Sequence, residues 1–565
     1  MSSLYFKGKS AVWNHHLSVP YHTLDKDKKN SLKGENEDEN LIIEGDNLLA
    51  LKTLLPKYQG KIKCIYIDPP YNTGNEGWVY NDNVNSPLIK DWLGKVVGKD
   101  DLTRHDKWLC MMTPRLNLLK ELLSENGSIF VSIDDNEVSH LKNLMDDVFG
   151  SNNFVEQIIV QTNPRGSQAS IHFASTHEYL LVYAKRIENL KINGREKDEE
   201  GLNEYAHTEK DGRKYRLLGL RQRGGAWKRA DRPNMFYPIY VNLKNGSVSL
   251  EKNKEYNIQC LPKRPTGEEG RWTWSKNKVQ LSSSLLCGRK VNRQGEKDFW
   301  DIFRKDYAND DEGNEKQTKI KSVWLEKEMN YQTGRNAIKE LFDNKDLFDY
   351  PKPVELIKKV LIASTDKDSI ILDSFAGSGT TAQAVMELNQ YDNGNRHFVL
   401  IQIEESLKKE SVAYKEGYRF VSEITKDRVQ RVIDVDELKD GFTYYTLGPS
   451  IDADSLLSGK LPKYEEFAKY VFYLATGKNH PDEKKIKEKE YFVGKSSNES
   501  IYLIYEKNLD SLKKLAITLE WAENTNKKDN SKKIVYAPAC FLDDEHLEKF
   551  NIQFVSIPYN LFEKK

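Results

Sequence analysis

Residues 369–388 read S-I-I-L-D-S-F-A-G-S-G-T-T-A-Q-A-V-M-E-L. A short apolar run closes on Asp373, two glycines follow at Gly377 and Gly379, and Thr380 opens a stretch of helix formers. This predicts a buried strand, a glycine loop and a helix. Glycine lets backbone approach a ligand closely, and a helix start offers free N–H groups and the positive end of a dipole to an anion such as a carboxylate. Gly379 is followed by Thr380 and not by lysine, which excludes a phosphate-binding P-loop. Taken alone, the loop is equally a tight strand-to-helix turn.

The same alternation continues outward. Residues 353–364 (PVELIKKVLIAS) read as the preceding helix and 397–405 (HFVLIQIEE) as the next strand. That strand ends on Glu404 and Glu405, where doubly wound cofactor sites place a ribose-binding acid. A solvated helix start is the other reading of the pair. Upstream, LIIEG (41–45), NLLALKTLL (47–55), KCIYID (63–68), a helix over 106–125, SIFVSI (128–133) and a helix over 135–148 repeat the pattern. Apolar strands alternating with helices predict a parallel sheet covered on both faces. The alternation lapses after Lys185 for about 150 residues, as an insertion into one sheet would require.

From about Asp440, four strand signals (EYFVGK, SIYLIYE, KKIVYAP, IQFVSIP) and two helix signals (LDSLKKLAITLEWAE, DDEHLEKF) predict a small unit of their own. The expected architecture is therefore a doubly wound, mostly parallel α/β sheet with an insert and a C-terminal α/β domain. Its parts are an N-terminal arm (1–40), core halves (41–185 and 346–440), the insertion (186–345) and an interaction domain (441–565).

Bulk properties narrow the class. A chain of 565 residues predicts several domains. Lys plus Arg and Asp plus Glu both number 86, so any basic surface must be local. With 29 Tyr, 21 Phe and 10 Trp the chain is globular despite a mean hydropathy of −0.71. The cysteines Cys64, Cys110, Cys260, Cys287 and Cys540 are scattered, so neither a disulfide framework nor a metal centre is expected. No apolar run suits a membrane span, and the opening MSSLYFKGKS lacks a signal-peptide core, so a cytoplasmic protein is expected.

The strand KCIYI leads directly into Asp68, Pro69, Pro70 and Tyr71. Two prolines in series make a rigid extended arm with free carbonyls, Asp68 adds a carboxylate and Tyr71 a stacking face. That set suits an exocyclic amine on a flat heterocycle: the acceptors take its two N–H bonds and draw its lone pair out of conjugation. A polyproline turn with Tyr71 as packing is the alternative.

Within the insertion, Arg213, Lys214, Arg216, Arg221, Arg223, Lys228, Arg229 and Arg232 stand against one acid, Asp231, with Tyr215 and Trp227 among them. Cations neutralise phosphates, arginine reads guanine edges and aromatics stack on bases, so this stretch is the candidate DNA surface. A solvated charged face is the alternative, and the acidic runs 196–200 and 309–315 read as solvated loops.

D-P-P-Y together with Phe375-Ala376-Gly377-Ser378-Gly379-Thr380 resembles the DNA amino-methyltransferases that use S-adenosylmethionine (AdoMet). The order, with D-P-P-Y first and the glycine loop last, resembles the permuted β class. The resemblance implies that the glycine loop holds the methionine part of AdoMet and that Asp68, Pro69, Pro70 and Tyr71 hold the target, adenine N6 rather than cytosine N4. Glu44-Gly45-Asp46-Asn47 resembles the family turn whose acid meets the AdoMet adenine, a helix cap by Asp46 being the alternative. Pro351-Lys352-Pro353 resembles the segment closing over the cofactor, although Lys352 reads equally as a surface lysine. His177 to Lys185, Arg232 to Pro238 and Arg271 to Trp274 resemble the modification (Mod) subunits of type III restriction–modification systems.

The resemblance implies a sequence-specific adenine-N6 methyltransferase acting on double-stranded DNA as a homodimer, with a helicase–nuclease restriction subunit as a further partner and no membrane. A non-catalytic DNA-reading subunit and a methylase of RNA or protein amines are the competing readings.

Overall fold

The computed structural model describes residues 4–73, 103–166, 172–194, 204–209, 211–264, 266–293, 296–309, 318–452, 455–456, 458–496 and 499–557. The acidic runs at 196–200 and 310–315 lie outside these. The chain forms two compact units, one made of Met1–Asn193 with Lys321–Lys565 and the other of Gly194–Ile320.

The first unit is built on a ten-stranded sheet. Its strands are β1 (Tyr21–Leu32), β2 (Leu41–Glu44), β3 (Ile62–Ile67), β4 (Leu123–Ile133), β5 (Phe154–Val160), β6 (Glu178–Ala184), β7 (Val323–Trp324), β8 (Ile370–Asp373), β9 (His397–Gln402) and β10 (Phe442–Ile451), in the spatial order β1-β10-β2-β9-β8-β3-β4-β6-β5-β7. The six strands from β10 to β4 are mutually parallel, and antiparallel pairs occur only toward the two ends. Ile65 and Ile67 in β3, Ile371 and Leu372 in β8 and Val399 to Ile401 in β9 are wholly buried. Unbroken apolar runs are what two helix-covered faces require.

The principal helices are α1 (Asn47–Tyr58), α2 (Arg104–Leu122), α3 (Val138–Met145), α4 (Tyr331–Leu341), α5 (Val354–Ser364), α6 (Thr380–Asp392), α7 (Val421–Val435) and α8 (Tyr464–Thr476). Caps set several starts: Asp46 accepts from two N–H groups of α1, and Thr103 with Asp106 forms a capping box on α2. No described helix is long and apolar enough to cross a membrane.

β3 and β8 are neighbours, with Ile371 opposite Cys64 and Leu372 opposite Ile65. From β3 the chain winds outward to β4, and from β8 it winds the opposite way to β9. The connections diverge between these two strands, which opens a crevice beyond their carboxyl ends. Asp68 ends one strand there and the glycine loop ends the other.

The second unit, Gly194–Ile320, is narrower than the expected 186–345 because β7 pairs with β5 and so belongs to the core sheet. It holds a four-stranded sheet (Leu286–Arg293, Glu296–Tyr307, Lys214–Gly219, His207–Thr208) and a three-stranded one (Val248–Ser249, Ile239–Asn242, Tyr256–Cys260). Leu220, Tyr237, Ile239, Val241, Trp272 and Ile302 form its core. Trp272 is fully buried and donates its Nε1–H to Tyr237 O at 2.8 Å.

The C-terminal region also begins later than the expected residue 441. β10 lies between β1 and β2 in the central sheet, and the separate four-stranded sheet comprises Phe492–Ser496, Glu499–Leu503, Lys532–Ala537 and Ile552–Ser556. The single helix expected over 509–523 is split into Leu509–Leu512 and Leu519–Lys528. Ile517 between them is buried in a bridge with Cys540, and Thr518 caps a new start. Tyr470 of α8 stacks on Tyr21 of β1 with centroids 4.4 Å apart, and Asn479 Nδ2 donates to Gln59 O at 2.8 Å, so this region is packed onto the core.

Candidate active site

The D-P-P-Y arm is fixed at its middle. Trp108 of α2, itself fully buried, donates Nε1–H to Pro70 O at 2.7 Å. Pro69 O has no donor among the described residues. Asn72 follows in the left-handed region (φ 56°), donating from Nδ2 to Arg104 O at 3.2 Å and to Glu137 Oε1. A non-glycine residue is held there only when its side chain is well tied, and these bonds tie it.

Behind Tyr71 lies a buried ionic network. Glu178 at the start of β6 is 1% exposed, and Lys352 just before α5 is 7% exposed. Lys352 Nζ donates to Glu178 Oε1 and Oε2 at 2.8 and 2.7 Å and to the Tyr71 hydroxyl at 2.5 Å. The hydroxyls of Tyr71 and Tyr331 donate to Glu178 Oε2 at 2.9 and 2.7 Å. Asp68 Oδ1 stands 3.3 Å from Lys352 Nζ but makes no aligned hydrogen bond among the described residues.

Burial opposes the Lys352 charge, yet Asp68 and Glu178 outweigh it and hold this lysine well above its ordinary range. Burial pushes the Asp68 carboxyl up, Lys352 draws it back and Glu178 pushes it up again, with a net rise. Two carboxylates around one ammonium make the pocket complementary to positive charge. Lys352 is thus no surface lysine: it joins Tyr71, Glu178 and Asp68, next to Pro353 at the α5 N-cap. Glu178, Tyr331 and Trp108 were not singled out as site residues. The available signal was an acid at the head of the apolar run 178–184.

The glycine loop is held from three sides. Gly377 (φ 53°) donates N–H to Gln402 Oε1 at 2.7 Å and accepts at its carbonyl from Thr425 Oγ1 at 2.6 Å. Ala376 N donates to Ile401 O at 3.1 Å. Arg428 of α7, fully buried, donates from Nη1 to Ser378 Oγ at 2.8 Å and Thr380 Oγ1 at 2.7 Å, and burial lowers its guanidinium to about 9. Asn47 Nδ2 donates to Ser374 O at 2.8 Å and is itself held by Arg115 Nε at 2.6 Å. Asp46 Oδ1 caps α1, taking the N–H groups of Leu48 at 2.7 Å and Leu49 at 3.4 Å, and Arg115 lies 3.6 Å from the same oxygen. At the end of β9, Glu404 is exposed, whereas burial raises the half-buried Glu405 carboxyl.

Asp373 anchors the loop start. Its Oδ1 accepts from Phe375 N at 3.0 Å and its Oδ2 from Thr381 Oγ1 at 2.5 Å. Burial nevertheless raises its carboxyl to about 7 from an ordinary 3.8, against the pull of those two bonds. A carboxyl raised on folding contributes stability that is complete below about pH 4 and lost as pH rises through about 7. Asp373→Asn removes that titration, so its melting temperature relative to wild type should climb between about pH 4 and about pH 7 and then level off. A pH-independent difference between the two melting curves would remove the assignment.

In the second unit the basic stretch is partly neutralised by acids outside it, one adjacent and three farther along the chain. Arg213 pairs with Asp211 at 2.8 Å, Arg216 with Glu204 and with Asp306 at 2.9 Å, and Arg229 with Glu269 at 2.8 Å. Arg221 is half-buried beside Trp272. Arg223, Lys228 and Arg232 are exposed and have no ion pair among the described residues. Arg264 stacks on Trp227, 3.4 Å from the ring centroid.

A family model described as DNA methylase matches residues 62–413. The EcoPI Mod subunit, a type III restriction–modification enzyme of Escherichia phage P1, is 37% identical over 73% of this chain, which spans 65% of that protein. The type II methyltransferase M.KpnI of Klebsiella pneumoniae is 35% identical over 72% of this chain and 91% of its own length. The EcoP15I Mod subunit of Escherichia coli is 31% identical over 77% of this chain and 69% of its own. The matched residues include both strand ends that frame the crevice and the loop between them, and on that match the chain belongs to the DNA methylase family.

Proposed function

We propose that the chain transfers a methyl group from AdoMet to N6 of an adenine in double-stranded DNA. The observation that carries this is Asp68: a carboxylate at the end of β3, with one oxygen lacking an aligned donor, beside the glycine loop at the end of β8. Adenine N6 is engaged in pairing within a duplex, so the base must leave the stack to meet a methyl donor in line. Asp68 and Pro69 O accept its two N–H bonds. Tyr71, anchored through its hydroxyl, presents a ring of fixed orientation for stacking. AdoMet, when bound at residues 375–380, supplies the methyl and its own leaving group. The protein then contributes positioning and the surplus negative charge of Asp68, Glu178 and Lys352, which favours the positive charge arriving at N6.

Incubation with tritiated AdoMet and DNA, RNA or protein tests the substrate class, and single-molecule sequencing of methylated DNA reports base and motif together. Label on DNA at adenine is expected. Label on RNA or protein alone, or on no substrate, overturns the reading, and the last result favours the DNA-reading subunit.

The relatives named as type III Mod subunits support a place in a restriction–modification system beside a restriction subunit; a cytoplasmic homodimer that recruits a helicase–nuclease is part of the same proposal. The region after Ile451 is the surface proposed for such contacts.

The exposed cations predict how DNA is held. Replacing Arg223, Lys228 and Arg232 by alanine should weaken binding for all sequences and reduce the salt slope by up to about three units, roughly one per lost phosphate contact. An unchanged slope in a binding titration across salt concentrations would return this stretch to a solvated face.

A further inference from the structure

We infer that His105, Glu137 and His140 form a binding site for a divalent transition-metal ion of the zinc class, outside the proposed methyl-transfer machinery. His105 lies in the first turn of α2, Glu137 is the N-cap residue of α3 and His140 lies in the first turn of α3. Their potential ligand atoms all fall within 4.8 Å of one another. His105 Nδ1 is 2.6 Å from Glu137 Oε1, and His140 Nδ1 is 2.9 Å from Glu137 Oε2.

Two features mark this cluster as more than a hydrogen-bonded trio. Glu137 is completely buried, and among the described residues its Oε2 has no hydrogen-bond partner; neither has His140 Nδ1, although the two atoms are in contact distance. A buried carboxylate oxygen and an imidazole nitrogen that meet without donor–acceptor alignment leave both lone pairs for a third centre. Glu137 and His140 are separated by three residues, a spacing at which a helical turn presents a carboxylate and an imidazole to one metal. Two imidazoles and one carboxylate are a ligand set used by zinc, with a remaining position for solvent. The His105 and His140 side chains are 32% and 37% exposed, so an ion has an entry path and room for that water.

Metal–ligand bonds of about 2.0–2.2 Å place tetrahedral ligand atoms roughly 3.4 Å apart; His140 Nδ1 and Glu137 Oε2, at 2.9 Å, are within about half an ångström of that, and His105 must turn to join them. Glu137 then coordinates through Oε2 while Oε1 keeps Asn72, an outer-shell partner that orients the carboxylate. When His105 takes the metal on Nδ1 it gives up its 2.6 Å hydrogen bond to Glu137 Oε1 and the long 3.4 Å contact from Arg104 Nε to Nε2, which then carries the proton. The metal joins α2, α3 and the residue that follows D-P-P-Y. The sequence separation of 32 residues between His105 and Glu137 explains why spacing alone gave no metal signal.

The test is titration of the full chain with Co²⁺, read by visible d–d absorption and by calorimetry. One equivalent with a tetrahedral-type band, displaced by one equivalent of Zn²⁺, is expected. His105→Ala and His140→Ala should each weaken Co²⁺ binding on the order of a hundredfold, while His546→Ala in the C-terminal region leaves it unchanged. Circular-dichroism melting establishes folding of each variant, and His140→Gln gives the same reading if His140→Ala does not fold. No saturable band at one equivalent, or a band unaltered by the two variants, overturns the site. Methyl transfer enters none of these readouts, so failure here and failure of the proposed function are separable.

Discussion

Asp68→Ala should slow methyl transfer about thirty- to thousandfold while leaving the protein folded and able to bind both AdoMet and DNA. Lys352 lies closer to Glu178 than to Asp68, 2.7 against 3.3 Å, and it also donates to Tyr71, so removing Asp68 leaves the buried ammonium paired. Losing one charged acceptor in a desolvated pocket raises the barrier by about 2–4 kcal/mol, a thirty- to thousandfold loss in single-turnover rate. The pH profile gives a second reading. Asp68 must be ionised to accept the amine, and its carboxyl is raised by burial and Glu178 against the pull of Lys352. The rate should therefore fall on the acid side at a pH above the ordinary aspartate range, and that limb should vanish in the variant's residual activity. Near-wild-type turnover in Asp68→Ala would remove Asp68 from the reaction.

The placement of Asp68 and Gly377 at strand ends could be read from sequence because the pattern is local: a carboxylate before two prolines closing an apolar run, and glycines between a strand and a helix. Lys352 was placed in the segment resembling the cofactor-closing one, but its buried partners were not seen. Its partner Glu178 is 174 residues away, and no periodicity links positions that meet only through the order of strands in a sheet. Arg428 is hidden in the same way, since only folding brings α7 under the glycine loop to reach Ser378 and Thr380.

The basic stretch misled in the opposite direction. Counting one acid within 213–232 overlooked Asp211 just before it and Glu204, Glu269 and Asp306, which fold back onto its arginines. The boundary near 441 failed for a topological reason: β10 is continuous with the tail in sequence but completes the core sheet beside β2, so a composition shift could not locate it. Local chemistry survives translation into sequence patterns, whereas pairing across the sheet does not.

Gly377→Val should eliminate AdoMet binding without unfolding the chain. A Cβ built at Gly377 meets Phe348 Cζ at 3.5 Å, an ordinary contact, so the protein side of the loop has room. The backbone cost is that of a left-handed residue at φ 53°, about 1–2 kcal/mol and higher for a β-branched side chain. The bonds to Gln402 and Thr425 hold the loop in place against it. The remaining cost falls on the crevice side, where backbone must approach the ligand and a valine stands in the way. Gly379 behaves differently: a Cβ there lies 3.1 Å from Thr425 O, so Gly379→Ala strains the packing of α7 and lowers the melting temperature as well. The comparison separates ligand contact from fold. Calorimetry on Gly377→Val should show at least a hundredfold loss of AdoMet affinity, about 3 kcal/mol, with DNA affinity retained. Unchanged AdoMet affinity in a folded Gly377→Val protein would move the cofactor away from the end of β8.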